Sequence, residues 1–247
     1  LNNDIYYKNR EFINSKNGIA FYLDKKKRLF FDVVQPNKDK ISSNLSAGTL
    51  SIEFSSLGEK ILTNCGASES LGKNPEYLRY SAAHSTIILQ NTNISEIKEN
   101  NPHIKYPQSV IFNKQQKNDY EMLEGSHNGY VNKFNKIIKR KLLIYKNENK
   151  IVGEDSIISI KKNDNDIIYH IRFHLNYGMV LNFTNNKKSI IFKTRFKNIW
   201  IFKSDVSLII EDSILVDNNS TKPTKQIVIK GIIKENKIVR KWSLEKI

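Results

Sequence analysis

The feature that most limits what this chain can become is a long succession of short β-like segments separated by turn residues. IAFYLD (19–24) and RLFFDVV (28–34) flank Lys25-Lys26-Lys27, and TLSIEFSS (49–56) and EKILTN (59–64) flank Leu57-Gly58, a hairpin signal. Within 49–56, Leu50, Ile52 and Phe54 fall on one face and Ser51, Glu53 and Ser55 on the other, the alternation a half-buried strand requires. The series continues through STIILQ, KRKLLIYKN, KIVGEDSIISI, DIIYHIRFHL, GMVLNF, KSIIFKT, NIWIFKS, VSLIIEDSILV and KQIVIKGII to KIVRKWSLE. Asn- and Asp-rich turns such as Asn163-Asp164-Asn165-Asp166 and Asp217-Asn218-Asn219 punctuate it. No stretch keeps an amphipathic helical period for three turns, and residues 5–13 are the one candidate short helix. Strands spaced about 8–12 residues apart predict an all-β fold. So many of them favour a large antiparallel two-sheet β-sandwich, of the super-sandwich type, with little or no helix. With no Pro/Gly/Ser-rich linker, residues 1–247 read as a single domain. The first residue is Leu1, so the chain reads as part of a longer protein.

Composition excludes several function classes. No apolar run approaches the roughly 18 residues of a membrane helix, so no membrane insertion is expected. Cys65 is the one cysteine and cannot form an internal disulfide; Asn64 and Gly66 beside it supply no Cys/His relay, so it reads as structural. The formal net charge of +15 invites an anionic partner. Lysine greatly outnumbers arginine, however, and Asn and Ile are abundant, as an AT-rich coding sequence produces. Lysines at turns, as in Lys25-Lys26-Lys27 and Lys161-Lys162, read as solvated, and no nucleic-acid-binding motif is present, so no nucleic-acid partner is expected. Phosphate-loop, dinucleotide, HExxH, GxSxG and CxxC motifs are also absent.

The remaining candidates are single residues in strand-like contexts. His84, in RYSAAHSTIILQ (79–90), reads as a hydrogen-bonded residue at a strand mouth, with metal ligation as the alternative. Arg172 and His174 lie two apart on a strand and share a face with His170, while Ile171, Phe173 and Leu175 take the core face. That basic strip either binds a carboxylate or sulfate or is a solvated or internally paired face. His127 and Tyr130 sit in a turn-like piece, HNGY, and either meet substrate or pack. Glu211 and Asp212 are adjacent and point to opposite faces, so they cannot act as a paired acid and base. Trp200 and Trp242 read as packing residues. Asn219-Ser220-Thr221 fits a glycosylation pattern, with nothing to support a secretory context.

Four fragments, in order, carry a resemblance: AGTLSIEFSSLGEKILTNCGASES (47–70), RYSAAHSTIILQ, LEGSHNGYVNKF (123–134) and HIRFHLNYGMVL (170–181), the last followed by W-x-F, E-D-S, Q-I-V-I and W-S-L pieces. Together they resemble the C-terminal domain of bacterial heparinase II/III-like proteins, from about Ile19 to the end. The resemblance implies a β-sandwich that follows an N-terminal α/α toroid, with a lyase cleft between the two. The partners it implies are an acidic polysaccharide and the protein's own toroid. The chemistry it implies is β-elimination, in which a base removes the C5 proton beside a uronate carboxylate and positive or hydrogen-bonding groups stabilise the resulting enolate. The family's metal-binding pattern falls on Ser46, Asn64 and His84, where a His and an Asp are replaced by Ser46 and Asn64, and its motif histidine preceding the L-S-F-E strand falls on Asn44. His84 thus reads as the remnant of a metal site, and no tightly bound zinc is expected. The domain by itself is expected to be catalytically silent. The alternative is a non-catalytic carbohydrate-binding or structural sandwich with a decayed lyase site. The substrate, compartment and oligomeric state stay open.

Overall fold

The computed structural model describes residues 18–36, 46–67, 76–97, 105–161, 166–184, 186–217 and 220–247; the 5–13 helix expectation lies outside them. Two eight-stranded antiparallel sheets carry these residues. The first runs β1 (Gly18–Leu23), β2 (Lys27–Val33), β3 (Ile52–Ser56), β4 (Glu59–Thr63), β10 (Ile167–Leu175), β15 (Ser220–Ile233) and β14 (Leu208–Asp217), with β5 (Ile87–Leu89) also pairing β10. The second runs β11 (Val180–Phe183), β12 (Ser189–Lys193), β13 (Ile199–Ser204), β16 (Lys237–Lys246), β9 (Lys150–Ser159), β8 (Lys136–Tyr145), β7 (Tyr120–Tyr130) and β6 (Val110–Gln116). Among the described residues, helix is confined to two single turns, α1 (Glu76–Arg79) and α2 (Val131–Phe134), and a 3₁₀ turn over Ser81–Ala83. The all-β sandwich read from the sequence is the fold observed.

Alternation builds the core. β8 buries every second residue along its whole length, and β10 sends Ile171, Phe173 and Leu175 inward, as their spacing predicts. Leu57 and Gly58 both have positive φ, 54° and 78°, which matches the right-handed strand twist and closes the β3–β4 hairpin tightly. Both tryptophans are buried: Trp200 meets Phe54 edge to face at 5.9 Å, and Trp242 contacts Phe173 at 4.7 Å. A Cβ on Gly153 would lie 2.1 Å from the Trp242 ring, so only glycine lets the indole lie across β9.

A charged pair is buried in the core. Arg140 on β8 donates from Nε and Nη2 to the two carboxylate oxygens of Asp155 on β9, at 2.6 and 3.0 Å, and Trp242 Nε1 donates to the same carboxylate at 2.9 Å. Arg140 Nη1 then reaches the other sheet's connections, donating to the carbonyls of Leu50 and Ser85 at 2.9 and 2.7 Å. With neither side chain exposed, each charge is met by its opposite and by further hydrogen bonds, the condition under which a buried ion pair persists.

Two sequence readings change here. The strand expected over 49–56 begins only at Ile52, because Leu50 adopts φ 62° in a turn whose carbonyl is held by Arg140; its side chain is still buried in the core. Lys25 and Lys26 are exposed, but Lys27 is buried, and its Nζ donates to the carbonyls of Tyr145, Lys146 and Glu148. Lys27 therefore ties the β1–β2 turn to the β8–β9 turn, and burial lowers its pKa.

Candidate functional site

The His84 segment is sewn onto its neighbours by hydroxyl groups. Ser81 Oγ donates to Ala47 O at 2.7 Å, Ser85 Oγ to Thr63 O at 2.7 Å, and Thr86 Oγ1 to Thr49 O at 2.7 Å. Ser85 Oγ also accepts the His174 N–H at 2.9 Å. Three hydroxyls of the S-A-A-H-S-T sequence thus each satisfy a loop carbonyl, and this brings residues 47–49, 63 and 81–86 together.

His84 lies within 2.8 Å of the Tyr80 carbonyl through Nδ1. A carbonyl only accepts, so Nδ1 carries the proton and Nε2 keeps its lone pair. The ring packs against Gly48, where an added Cβ would be 2.5 Å from Cδ2. Burial lowers the His84 pKa, with the Tyr80 hydrogen bond acting the other way. Asn64 Oδ1 accepts the Ser85 N–H at 2.9 Å and Asn64 Nδ2 donates to Glu53 Oε1 at 3.0 Å. Ser46 lies two residues before Gly48. The donor set is therefore one imidazole lone pair, an amide with both heteroatoms already engaged, and a hydroxyl, which falls short of the about four N, S or carboxylate donors zinc takes. Among the described residues, no cluster of three or more His, Cys, Asp or Glu could hold a metal ion.

Arg172 and His174 share the outward face of β10 but are spoken for within the chain. Arg172 Nη1 donates to Glu211 Oε2 on β14 at 2.7 Å and to Gln226 Oε1 on the intervening β15 at 3.1 Å. His174 Nε2 lies 3.0 Å from Ala82 O and so carries the proton; Nδ1 accepts from Ser213 Oγ at 2.7 Å. Burial first, and then the neighbouring Arg172 charge, push the His174 pKa down to about 3. Asp212, on the opposite face from Glu211, pairs with Lys225 at 2.5 Å. His127 and Tyr130 belong to another part of the molecule. The Tyr130 hydroxyl donates to Thr92 O at 2.8 Å, and its ring packs between His127 and Phe134 at 5.7 and 5.9 Å. His127 Nδ1 accepts the Gly129 N–H at 3.1 Å, and burial pushes its pKa down to about 3.

Three groupings escaped the sequence reading. The Arg140–Asp155 pair is one. The second is Cys65, whose sequence neighbours suggest no relay but whose Sγ sits 3.5 Å from His174 Nδ1 and 3.7 Å from Ser213 Oγ; burial raises its thiol pKa, so it stays protonated. The third is a cleft of 290 Å³ at the end of the sandwich, whose lining includes Asn64, Tyr177 and Arg195. Gly58 and Gly66, which line it, and Gly178 beside Tyr177 all take positive φ, so glycines at its turns were the local signal for it.

With this geometry in hand, comparison with known proteins decides the family. The family model described as heparinase II/III-like, C-terminal, matches residues 14–243. This chain belongs to that family. No curated protein matches it. Among solved structures, the heparan sulfate lyase HepC from Pedobacter heparinus is similar with a TM-score of 0.74 at 16% identity, over 94% of this chain and 35% of its own. A heparinase III gene product gives 0.74 at 10% identity, over 94% and 35%. Another heparinase III gives 0.68 at 12%, over 90% and 33%. At these identities the likeness is one of fold. The heparinase II/III-like chain spans 35% of the length of the first of these structures.

Proposed function

We propose that this chain is the β-sandwich part of a longer lyase that cleaves an acidic, uronate-containing polysaccharide by β-elimination, and that the sandwich forms one wall of the cleft beside an α/α toroid. The observation that carries this reading is the family match over residues 14–243, on a chain with the sandwich fold of enzymes almost three times its length. The local chemistry supports a supporting role for the sandwich. Burial lowers the pKa of His84, His127, His170 and His174 alike, so each is neutral at pH 7 and a weak base. Removal of the C5 proton then falls to the toroid, and the sandwich alone is silent. Heparan sulfate, the glycan for which the Pedobacter heparinus lyase is named, is the first to test.

A second reading, a carbohydrate-binding or structural sandwich with a decayed site, is favoured by one observation: both heteroatoms of the Asn64 amide are engaged by Ser85 and Glu53. One experiment separates the two. The full-length protein is incubated with heparan sulfate, chondroitin sulfate, hyaluronan and alginate, and the ultraviolet absorbance of unsaturated uronate products is followed. The lyase reading expects a rise with at least one glycan and none from residues 1–247 alone. No product from the full-length protein on any glycan refutes it and leaves the binding reading.

A further inference from the structure

The 290 Å³ cleft combines features that nothing in the His84 region needs. Its wall includes the β12–β13 loop, in which Arg195 and Phe196 are consecutive. The buried Glu59 carboxylate fixes that loop by accepting from Thr194 Oγ1 at 2.5 Å, from the Phe196 N–H at 3.0 Å and from Asn198 Nδ2 at 3.2 Å. Held this way, the loop presents a Phe196 ring that is 64% exposed. An exposed aromatic on a rigid turn is a preorganised apolar platform, because little side-chain or loop entropy remains to be lost when a ligand lands on it.

Arg195 is positioned as firmly. Its stem crosses Gly178, where an added Cβ would meet Arg195 Cγ at 2.9 Å, and its guanidinium lies 4.6 Å from the Tyr177 ring centroid while donating to the Tyr177 hydroxyl. Lys222 Nζ lies 4.1 Å from the centroid of the same ring, so one aromatic meets two cations. Each carboxylate around the cleft has a partner: Glu53 accepts from the Asn64 amide, Glu59 from the neutral donors of the loop, and Asp217 pairs with the Lys222 cation at 3.6 Å; the cations of the lining are Lys60 and Arg195. Among the described residues, no carboxylate stands within ion-pair distance of Arg195. Thr63, whose buried Oγ1 also has no hydrogen-bond partner among them, lines the same cleft. The volume sits at the low end of the about 300–1,000 Å³ usual for small-molecule sites, which suits one ring of a polymer.

We propose that this cleft is a subsite for one acidic sugar ring, with the ring's apolar face on Phe196 and its carboxylate or sulfate on Arg195. The inference rests on the polysaccharide reading above and adds to it a binding site away from His84. Glu59 and Gly178 are positioning residues for the two contacts.

The test uses the full-length protein in native gels containing heparan sulfate, chondroitin sulfate, hyaluronan or alginate, with carboxyl-reduced versions of each, also desulfated for the two sulfated glycans, as controls; retardation gives Kd. Arg195→Gln is expected to raise Kd about ten- to a hundredfold, the range of a charge-assisted hydrogen bond. Arg195→Lys is expected to recover part of that loss, and Phe196→Ala to raise Kd several-fold. Lys193→Ala, an exposed cation on β12 outside the cleft lining, is expected to leave Kd unchanged. Equal losses from Arg195→Gln and Lys193→Ala mean that general positive charge binds the polymer, and they overturn the subsite. So does wild-type affinity in Arg195→Gln. If the wild type releases unsaturated product while Arg195→Gln keeps its affinity, the subsite fails and the lyase reading stands. If the wild type neither binds nor cleaves any of the glycans, both fail.

Discussion

Replacing Asp155 with Asn tests whether the buried ion pair between β8 and β9 is structural in the way its geometry implies. Asp155 supplies one oxygen to Arg140 Nε at 2.6 Å and the other to Arg140 Nη2 at 3.0 Å and to Trp242 Nε1 at 2.9 Å. An amide of the same shape removes the counter-charge from a fully buried guanidinium, which costs about 3–5 kcal/mol. It also sets an NH₂ donor against at least one N–H donor, losing a further hydrogen bond of about 1 kcal/mol. The expected loss is therefore about 4–6 kcal/mol, a large part of the about 5–15 kcal/mol by which a domain is stable. The double variant Arg140→Met/Asp155→Leu removes both charges and leaves the Leu50 and Ser85 carbonyls and the Trp242 N–H without their partners. It is expected to be more stable than Asp155→Asn and far from additive, since the single variants each strand a charge. Urea unfolding followed by far-ultraviolet circular dichroism gives the free energies. A cost below about 1 kcal/mol for Asp155→Asn, or a double variant equal to the sum of its singles, refutes the reasoning. Hydrogen exchange supplies a second check: the Ser85 N–H, held by Asn64, should exchange faster in the double variant, which removes the Arg140 anchor of that segment.

Two further predictions concern pH and metal. His127 and His174 have folded pKa values of about 3 against an ordinary 6.5, so between those values the unfolded chain binds protons the folded chain refuses, and stability falls as pH drops, by about 1.4 kcal/mol per pH unit for each histidine. Asp32, pushed up by burial to about 6, works the other way: between its ordinary 3.8 and about 6 the folded chain holds the extra proton, and stability falls as pH rises. The two histidines outweigh it, so the urea midpoint should be lower at about pH 5 than at pH 7, and Asp32→Asn should raise it at pH 7; an unchanged or higher midpoint in acid contradicts the buried neutral histidines. For metal, the purified full-length protein should carry substoichiometric zinc at the sandwich, and a chelator should leave its melting temperature unchanged; one zinc per chain lost on His84→Ala would refute the remnant reading of Ser46, Asn64 and His84.

Much of the architecture was legible because its causes are local. The period-two pattern of β8 and β10 and the paired positive φ at Leu57-Gly58 follow from residues adjacent in the chain. The same holds for the assignment of Ile171, Phe173 and Leu175 to the core and for the ordered fragments that carry the family resemblance. Reading by local pattern failed where a distant group reset the local choice. Leu50 alternates correctly as a strand residue, yet the Arg140 guanidinium, 90 positions away, takes its carbonyl. Lys27 resembles Lys25 and Lys26 in composition, yet three carbonyls of the β8–β9 turn surround it.

The candidate sites show the same division. Short segments sufficed for the all-β sandwich and the family, since periodicity, turn chemistry and motif order are properties of such segments. Which charges are spent and which are free was settled by tertiary contacts. Arg172, an attractive anion ligand on its strand, meets Glu211 across β15, whereas Arg195, ordinary in its own segment, is held by Tyr177 and Gly178 and by a loop fixed to Glu59, 137 positions from Phe196. The physical reason is that a side chain's charge and direction acquire meaning from whatever stands within a few ångströms, and in an antiparallel sandwich those neighbours come from strands far apart in the chain.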